Sequence, residues 1–415
     1  MYIARGPNDA SRPTDWGTSA FAVNAQAFLV LSVRRNADRT VATIDGVTTS
    51  VGTSEGGRFS IRVPTVTTSG DAIVVVAAAG NGSGGISYVV ASPGFPSAGM
   101  QTPGITPPAP SLWQWEWPTG GFVSGDTLTI TEGAGSGAAR IFDYLRYAYS
   151  YTQNVYGRGG HPLVAWLQYG TSWRCGKCMG RQPTTLFGSS TAPGLPFEMQ
   201  GYFDGGIAQS YWADPVTAHE FGHWVMQSFG VSPGEAGPHF VGSRVYPGMA
   251  WSEGFATWFS ADLRRSPLYY DKQPNAAGTG TSFFWLNLAA RQYSGPSWTR
   301  PVARNGLGQL IDENEVAAMM WTMSSNLPSP PTYFYQALAS RRMLGPAFAR
   351  GYRRTYWSLD TDGSITNVIP TTTPAPHLAD FLDALVCSGF SRPLVDGATQ
   401  PSVYYPYPSA SPLCL

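Results

Sequence analysis

The chain has 415 residues, with 26 basic and 26 acidic side chains balancing to zero formal charge. Counterion release on a phosphate backbone needs clustered positive charge, and the sequence has no basic block, so nucleic acid is excluded as an expected partner. Charged residues are only 13% of the chain, beside 43% apolar residues, 48 Gly, 34 Pro and 14 Trp, which excludes a disordered or fibrous protein and leaves surface polarity to Ser, Thr, Asn, Gln and Tyr.

Such a length predicts two domains or more. No run approaches the roughly 20 apolar residues that cross a bilayer, so no transmembrane segment is expected. The low charge is commoner in extracellular enzymes than in cytosolic ones, and a secreted protein is the expectation. The opening Met1–Pro7 lacks a signal peptide's apolar stretch, so export would follow earlier signal removal or use another route.

From about Ala20 to Val90 the sequence reads as short strands, among them Phe28–Val33, Thr40–Ile44, Arg58–Val63 and Ala72–Val76. Asp45-Gly46, Glu55-Gly56-Gly57 and Gly80-Asn81-Gly82 supply the turns. Regular strand spacing without helical periodicity predicts a small all-β sandwich over 1–91, an accessory domain without a catalytic constellation. Asn81-Gly82-Ser83 is a formal glycosylation sequon. Pro93, Pro96, Pro103, Pro107, Pro108, Pro110 and Pro118 then predict a semi-rigid linker over 92–120.

The remaining 121–415 reads as the larger domain. Ala138–Tyr156 has helical spacing of Ile141, Phe142, Leu145, Ala148 and Tyr149. Leu163–Leu167, with His161 just before it, and Phe197–Phe203 read as strands, and helices are expected at Glu313–Met323, Ala337–Tyr352 and Ala379–Val386. Strands first and helices afterwards give an α+β order. The four cysteines are read as two structural disulfides, Cys175–Cys178 and Cys387–Cys414, in keeping with an oxidising compartment. Asp360-Thr361-Asp362-Gly363-Ser364 opens like a calcium loop but lacks the later acidic ligand, so an Asp/Gly turn is preferred and Ca2+ is only weakly supported.

The chemistry lies in Asp214-Pro215-Val216-Thr217-Ala218-His219-Glu220-Phe221-Gly222-His223. Asp214 suits an N-cap and Pro215 the first helical position, so a helix should start here. One turn apart on one face, His219 and His223 can take adjacent corners of a tetrahedral zinc. Glu220 leans to the same side, where it can take a proton from a metal-activated water attacking a carbonyl.

A third ligand is needed. A metzincin extension would require Gly at 226 and His at 229, where the chain has Met226 and Phe229. Downstream, Gly248 to about Arg265 reads as a second helix whose only acidic residue before Asp262 is Glu253. Its carboxylate is either buried beside a metal or ion-paired, and His239 is an alternative third ligand.

His219-Glu220-Phe221-Gly222-His223 followed by Trp251-Ser252-Glu253-Gly254-Phe255-Ala256 resembles the gluzincin metallopeptidases, the thermolysin-like clan. The match is close over these segments and one of pattern only from Thr127 to Gly389. The resemblance implies Glu253 as third zinc ligand, and a catalytic domain with a sheet-containing half, a mainly helical half and a cleft between them. It also implies an edge strand that pairs with extended peptide or protein substrate. The clan's acid four residues after the glutamate ligand is here Thr257, so the partner of a zinc histidine is Thr257 itself, a backbone carbonyl, Asp262 or Asp214. For the oxyanion donor the candidates are His239, Tyr246, Tyr269, Tyr270 and His377. Peptide hydrolysis is the leading expectation. A non-catalytic zinc-containing binding protein is the alternative, and a zinc hydrolase acting on a non-peptide bond a third.

Overall fold

A computed structural model describes, with side chains, residues 78–80, 86–93, 112–113, 135, 137–175, 177–186, 194–206, 209–233, 239, 245, 248–271, 283–293, 312–328, 330–344 and 376–399, and the backbone alone of further strands and helix ends. The chain divides into two compact units, one of 1–149, 161–217 and 272–283 and the other of 150–160, 218–271 and 284–415.

In the first unit, strands β1 (Ala79–Gly82), β2 (Gly85–Ser92), β3 (Leu163–Leu167), β4 (Cys178–Leu186) and β5 (Leu195–Phe203) form a mixed sheet in the order β1-β2-β3-β5-β4. β2–β3 and β3–β5 are parallel, while β1 and β4 close the edges antiparallel. A parallel pair needs a crossover, and helix α1 (Ser136–Tyr156) follows β2 and precedes β3. Its Phe142 and Tyr149 pack on Tyr88 of β2, with ring centroids 5.8 and 4.7 Å away. All five residues of β3 are buried, as expected of a central strand that is apolar throughout. Val89, Ala91, Val164, Trp166, Trp173, Phe197 and Tyr202 make one core cluster.

The described elements are thus of mixed alpha and beta class, as expected in outline, with a mixed sheet and eight helices. Ala91 and Ser92 of β2 pair with Leu112 and Ser111 of the proline-rich stretch. β2 also pairs Tyr88–Ala91 with Leu163–Trp166 and buries Val89 and Ala91 with them. Before β1, the backbone of Leu29–Arg35 and Ala72–Ala77 pairs antiparallel, as does that of Ala72–Ala77 with Gln114–Pro118.

Among the described residues there are eight α-helices, none long and apolar enough to cross a membrane. The second unit contains most of them: α2 (Asp214–Phe229) from residue 218, α3 (Pro247–Arg264), α4 (Glu313–Ser324), α5 (Thr332–Leu338), α6 (Arg341–Leu344), α7 (Leu378–Cys387) and α8 (Arg392–Thr399). The helix expected over 337–352 is interrupted, because Ser340 starts α6 with its carbonyl accepting from Met343 and Leu344 at 3.0 Å each. The core is aromatic: Trp258 stacks on Phe334 at 5.0 Å and Trp251 lies 4.7 Å from Phe381. Asp262, near the end of α3, accepts from Tyr151 at 2.5 Å and Tyr335 at 2.9 Å. Cys175 and Cys178 form a disulfide. Cys387 is disulfide-bonded as well, and its expected partner Cys414 lies outside the described residues. So do the 360–364 turn, and with it the Ca2+ expectation, and the side chain of Asn81.

His377 caps α7. Its Nδ1 accepts from the Ala379 amide at 3.2 Å, and Asp380 accepts from the His377 amide at 3.2 Å. Burial, helped by the Arg342 charge, lowers its pKa to about 3. A histidine depressed from about 6.5 binds protons more readily unfolded, so its stabilising effect is lost as pH falls from about 6.5 towards 3. In excess chelator, His377→Asn keeps a cap oxygen and removes the titration. It should therefore be less destabilised than the parent on going from pH 7 to pH 4, by about 3 kcal/mol. Urea midpoints at the two pH values measure this, and parallel pH profiles would refute it.

Candidate metal centre

α2 begins at Asp214, one residue earlier than expected, and the carboxylate accepts from Arg140 Nη2 at 2.8 and 2.7 Å instead of serving only as a cap. From this start, His219, Glu220 and His223 fall on one side of α2, and Glu253 comes from the second turn of α3. His219 Nε2 and His223 Nε2 are 3.2 Å apart. Glu253 Oε2 is 3.1 Å from the first and 3.2 Å from the second. Zinc with bonds of about 2.0–2.1 Å spaces tetrahedral ligands by about 3.3 Å, so the three donor atoms fit such an ion. Two imidazole nitrogens and one carboxylate oxygen make three donors, the number a catalytic zinc takes from protein where a closed structural site takes four.

Two glycines set the approach of the helices. A Cβ on Gly222 would stand 2.6 Å from Ala256 Cα and 3.0 Å from Ala256 O, so α2 and α3 touch backbone to backbone between the two histidines. On Gly254 it would meet Val316 Cβ at 2.6 Å and the Glu313 carbonyl at 2.8 Å, bringing α4 equally close behind Glu253. Helical Gly→Ala ordinarily stabilises by about 0.5–1 kcal/mol. That is the outcome expected for Gly397→Ala on α8, where nothing lies within 4 Å. Gly222→Ala should instead destabilise by about 1–3 kcal/mol, because backbone cannot yield as a side chain can. Urea unfolding of both variants reads the opposite signs, and a stabilised Gly222→Ala would refute the packing argument.

Burial lowers the His219 pKa to about 4, which favours its neutral ring. Burial would raise Glu253, but the charge of His223 and hydrogen bonds from both rings hold it well below the usual carboxylate range. For His223 burial is outweighed by Glu253, and the pKa rises. The rings are also held from behind. His219 Nδ1 lies 3.0 Å from Thr257 Oγ1, and His223 Nδ1 lies 3.3 Å from Ser252 Oγ. Of the partners proposed from sequence, Thr257 is therefore the one used. Asp262 binds tyrosines and Asp214 binds Arg140.

Among the described residues, His219, His223 and Glu253 are the only group of three able to hold a metal. His239 does not join them, since its Nδ1 lies 2.8 Å from Glu313 Oε2 at the start of α4. Burial opposes its charge, but Glu313, with Glu253 and Glu220 adding, raises its pKa to about 10. Tyr269, with its ring 6.0 Å from that of His219, is raised well above 10 by burial and by Asp271, Glu220, Glu313 and Glu253. Both therefore sit within the field of the site as protonated donors. His377 is spent as a cap, Tyr270 is buried, and Tyr246 lies outside the described residues. His161 pairs with Glu198 at 2.8 Å beside β3. Ser252 and Glu313 are the contributors the sequence did not single out. Ser252 adjoins Glu253 and was within reach, whereas nothing in the spacing ties His239 to a residue 74 positions later. No protein-family model matches the chain, and no curated protein matches it.

Proposed function

We propose that the chain is a zinc-dependent peptidase in which His219, His223 and Glu253 hold the metal and Glu220 is the general base. The observation that carries this reading is the convergence of the three donor atoms to within 3.2 Å of one another, with Glu220 next to one of them in the chain. A zinc ion there would acidify a water molecule and polarise a substrate carbonyl. Glu220 accepts the proton of the attacking water and returns it to the leaving amine. For the developing oxyanion the nearest candidate donor is Tyr269, whose ring lies 6.0 Å from that of His219, with His239 as the other candidate. In this reading the sheet and the helices make the two halves of a gluzincin-like domain. The strands before β1 are an accessory module, and the Cys175–Cys178 disulfide supports an exported protein.

The test is metal content with activity on one preparation. Mass spectrometry should find close to one zinc per chain, and a broad peptide library should be cleaved, with cleavage lost in chelator and restored by zinc. No zinc after supplementation would end the metallopeptidase reading, and stoichiometric zinc without cleavage would favour a zinc-containing binding protein.

A further inference from the structure

α3 meets the two histidines twice. In front it offers the Glu253 carboxylate to both Nε2 atoms, and behind it offers a hydroxyl to each Nδ1, Thr257 to His219 and Ser252 to His223. Both hydroxyl-bearing residues are buried, at 6% exposure each, so water does not readily stand in for either. A neutral imidazole carries its proton on one nitrogen only, and the hydrogen bond made by the other side of the ring decides which. A hydroxyl can accept from an Nδ1–H or donate to a bare Nδ1; once Nε2 gives its lone pair to a metal, the ring proton sits on Nδ1 and the hydroxyl oxygen is the acceptor placed for it.

We propose that Thr257 and Ser252 are positioning residues which hold the ring orientation of His219 and His223 and accept from Nδ1–H when Nε2 binds a metal, so that both Nε2 atoms face it with uncharged partners behind them. This inference rests on the zinc reading above. It adds that the site works without a carboxylate behind either histidine. An ionised partner makes a stronger, charge-assisted hydrogen bond and raises ligand basicity. The hydroxyls orient the rings without adding negative charge behind them.

The experiment measures zinc affinity by competition with a chromophoric chelator, for the whole chain and for Thr257→Val, Thr257→Ser and Ser252→Ala. Valine matches threonine in shape and cannot accept, so Thr257→Val should weaken zinc by 10–100-fold, while Thr257→Ser recovers most of the loss. Ser252→Ala should weaken it in the same direction. Melting in excess chelator gives the control, since a purely structural role predicts a lower metal-free Tm, and a positioning role an unchanged one with the loss confined to zinc. Parental zinc affinity in Thr257→Val and Ser252→Ala overturns this inference and leaves the zinc reading standing. Absence of zinc from the unsubstituted chain removes both.

Discussion

Glu220→Gln should lower kcat/KM for peptide hydrolysis by about 10²–10⁴, the range that a positioned general base contributes, while leaving zinc stoichiometry and Tm close to those of the parent. The amide keeps the shape and hydrogen-bonding capacity of the carboxylate but cannot take up a proton at neutral pH. Glu220 is buried at 5% exposure, so its ionised form is an expense the fold carries. Its charge bears on His223, His239 and Tyr269. A structural metal site would have no use for a base at this position. Steady-state kinetics on one good peptide, with metal analysis of the same samples, decide the matter. Full activity in the variant would move the proton transfer to another group, and loss of zinc together with activity would make Glu220 a contributor to metal binding.

The second large effect is expected at Glu253. Glu253→Ala removes the proposed oxygen ligand and, among the described residues, the one carboxylate that reaches both Nε2 atoms. Loss of an outer partner already weakens metal by about 10–100-fold, so loss of a ligand should exceed about 100-fold and leave the purified protein essentially zinc-free. Zinc analysis after dialysis at fixed free metal reads this directly. Zinc retained at full stoichiometry would mean that another donor completes the site, and His239 would need to leave Glu313 to do so.

What was legible in the sequence follows from which interactions are local. The His219–His223 pair, Glu220 and the helix beneath them are written within ten residues, because one turn of helix fixes their relation. Glu253 was found because a lone carboxylate in an apolar helix needs a reason to be there. β3 and α1 were recognisable from their apolar patterns and appear at or close to the expected bounds. The order of strands in the sheet was not legible because strand pairing is non-local. Nothing in Tyr88–Ala91 announces that its partner is Leu163–Trp166, across a proline-rich stretch that resembles a boundary. The Gly222–Ala256 contact and the His239–Glu313 pair belong to the same class, being products of helix packing rather than of spacing.

The buried cluster at Asp262 has a mechanical consequence for the metal centre. Glu253 and Asp262 lie nine residues apart on α3, a span of about 13.5 Å at 1.5 Å per residue. Tyr151 and Tyr335 clamp the helix at Asp262, and the backbone contact at Gly222–Ala256 pins it nearer the ligands. Glu253 itself stands between the Trp251–Phe381 contact and the close approaches at Gly254 and Ala256, so α3 is gripped on both sides of it. A disturbance at Asp262 would reach the carboxylate only as a tilt of the whole helix, and the two tyrosines would in that way share in aiming it.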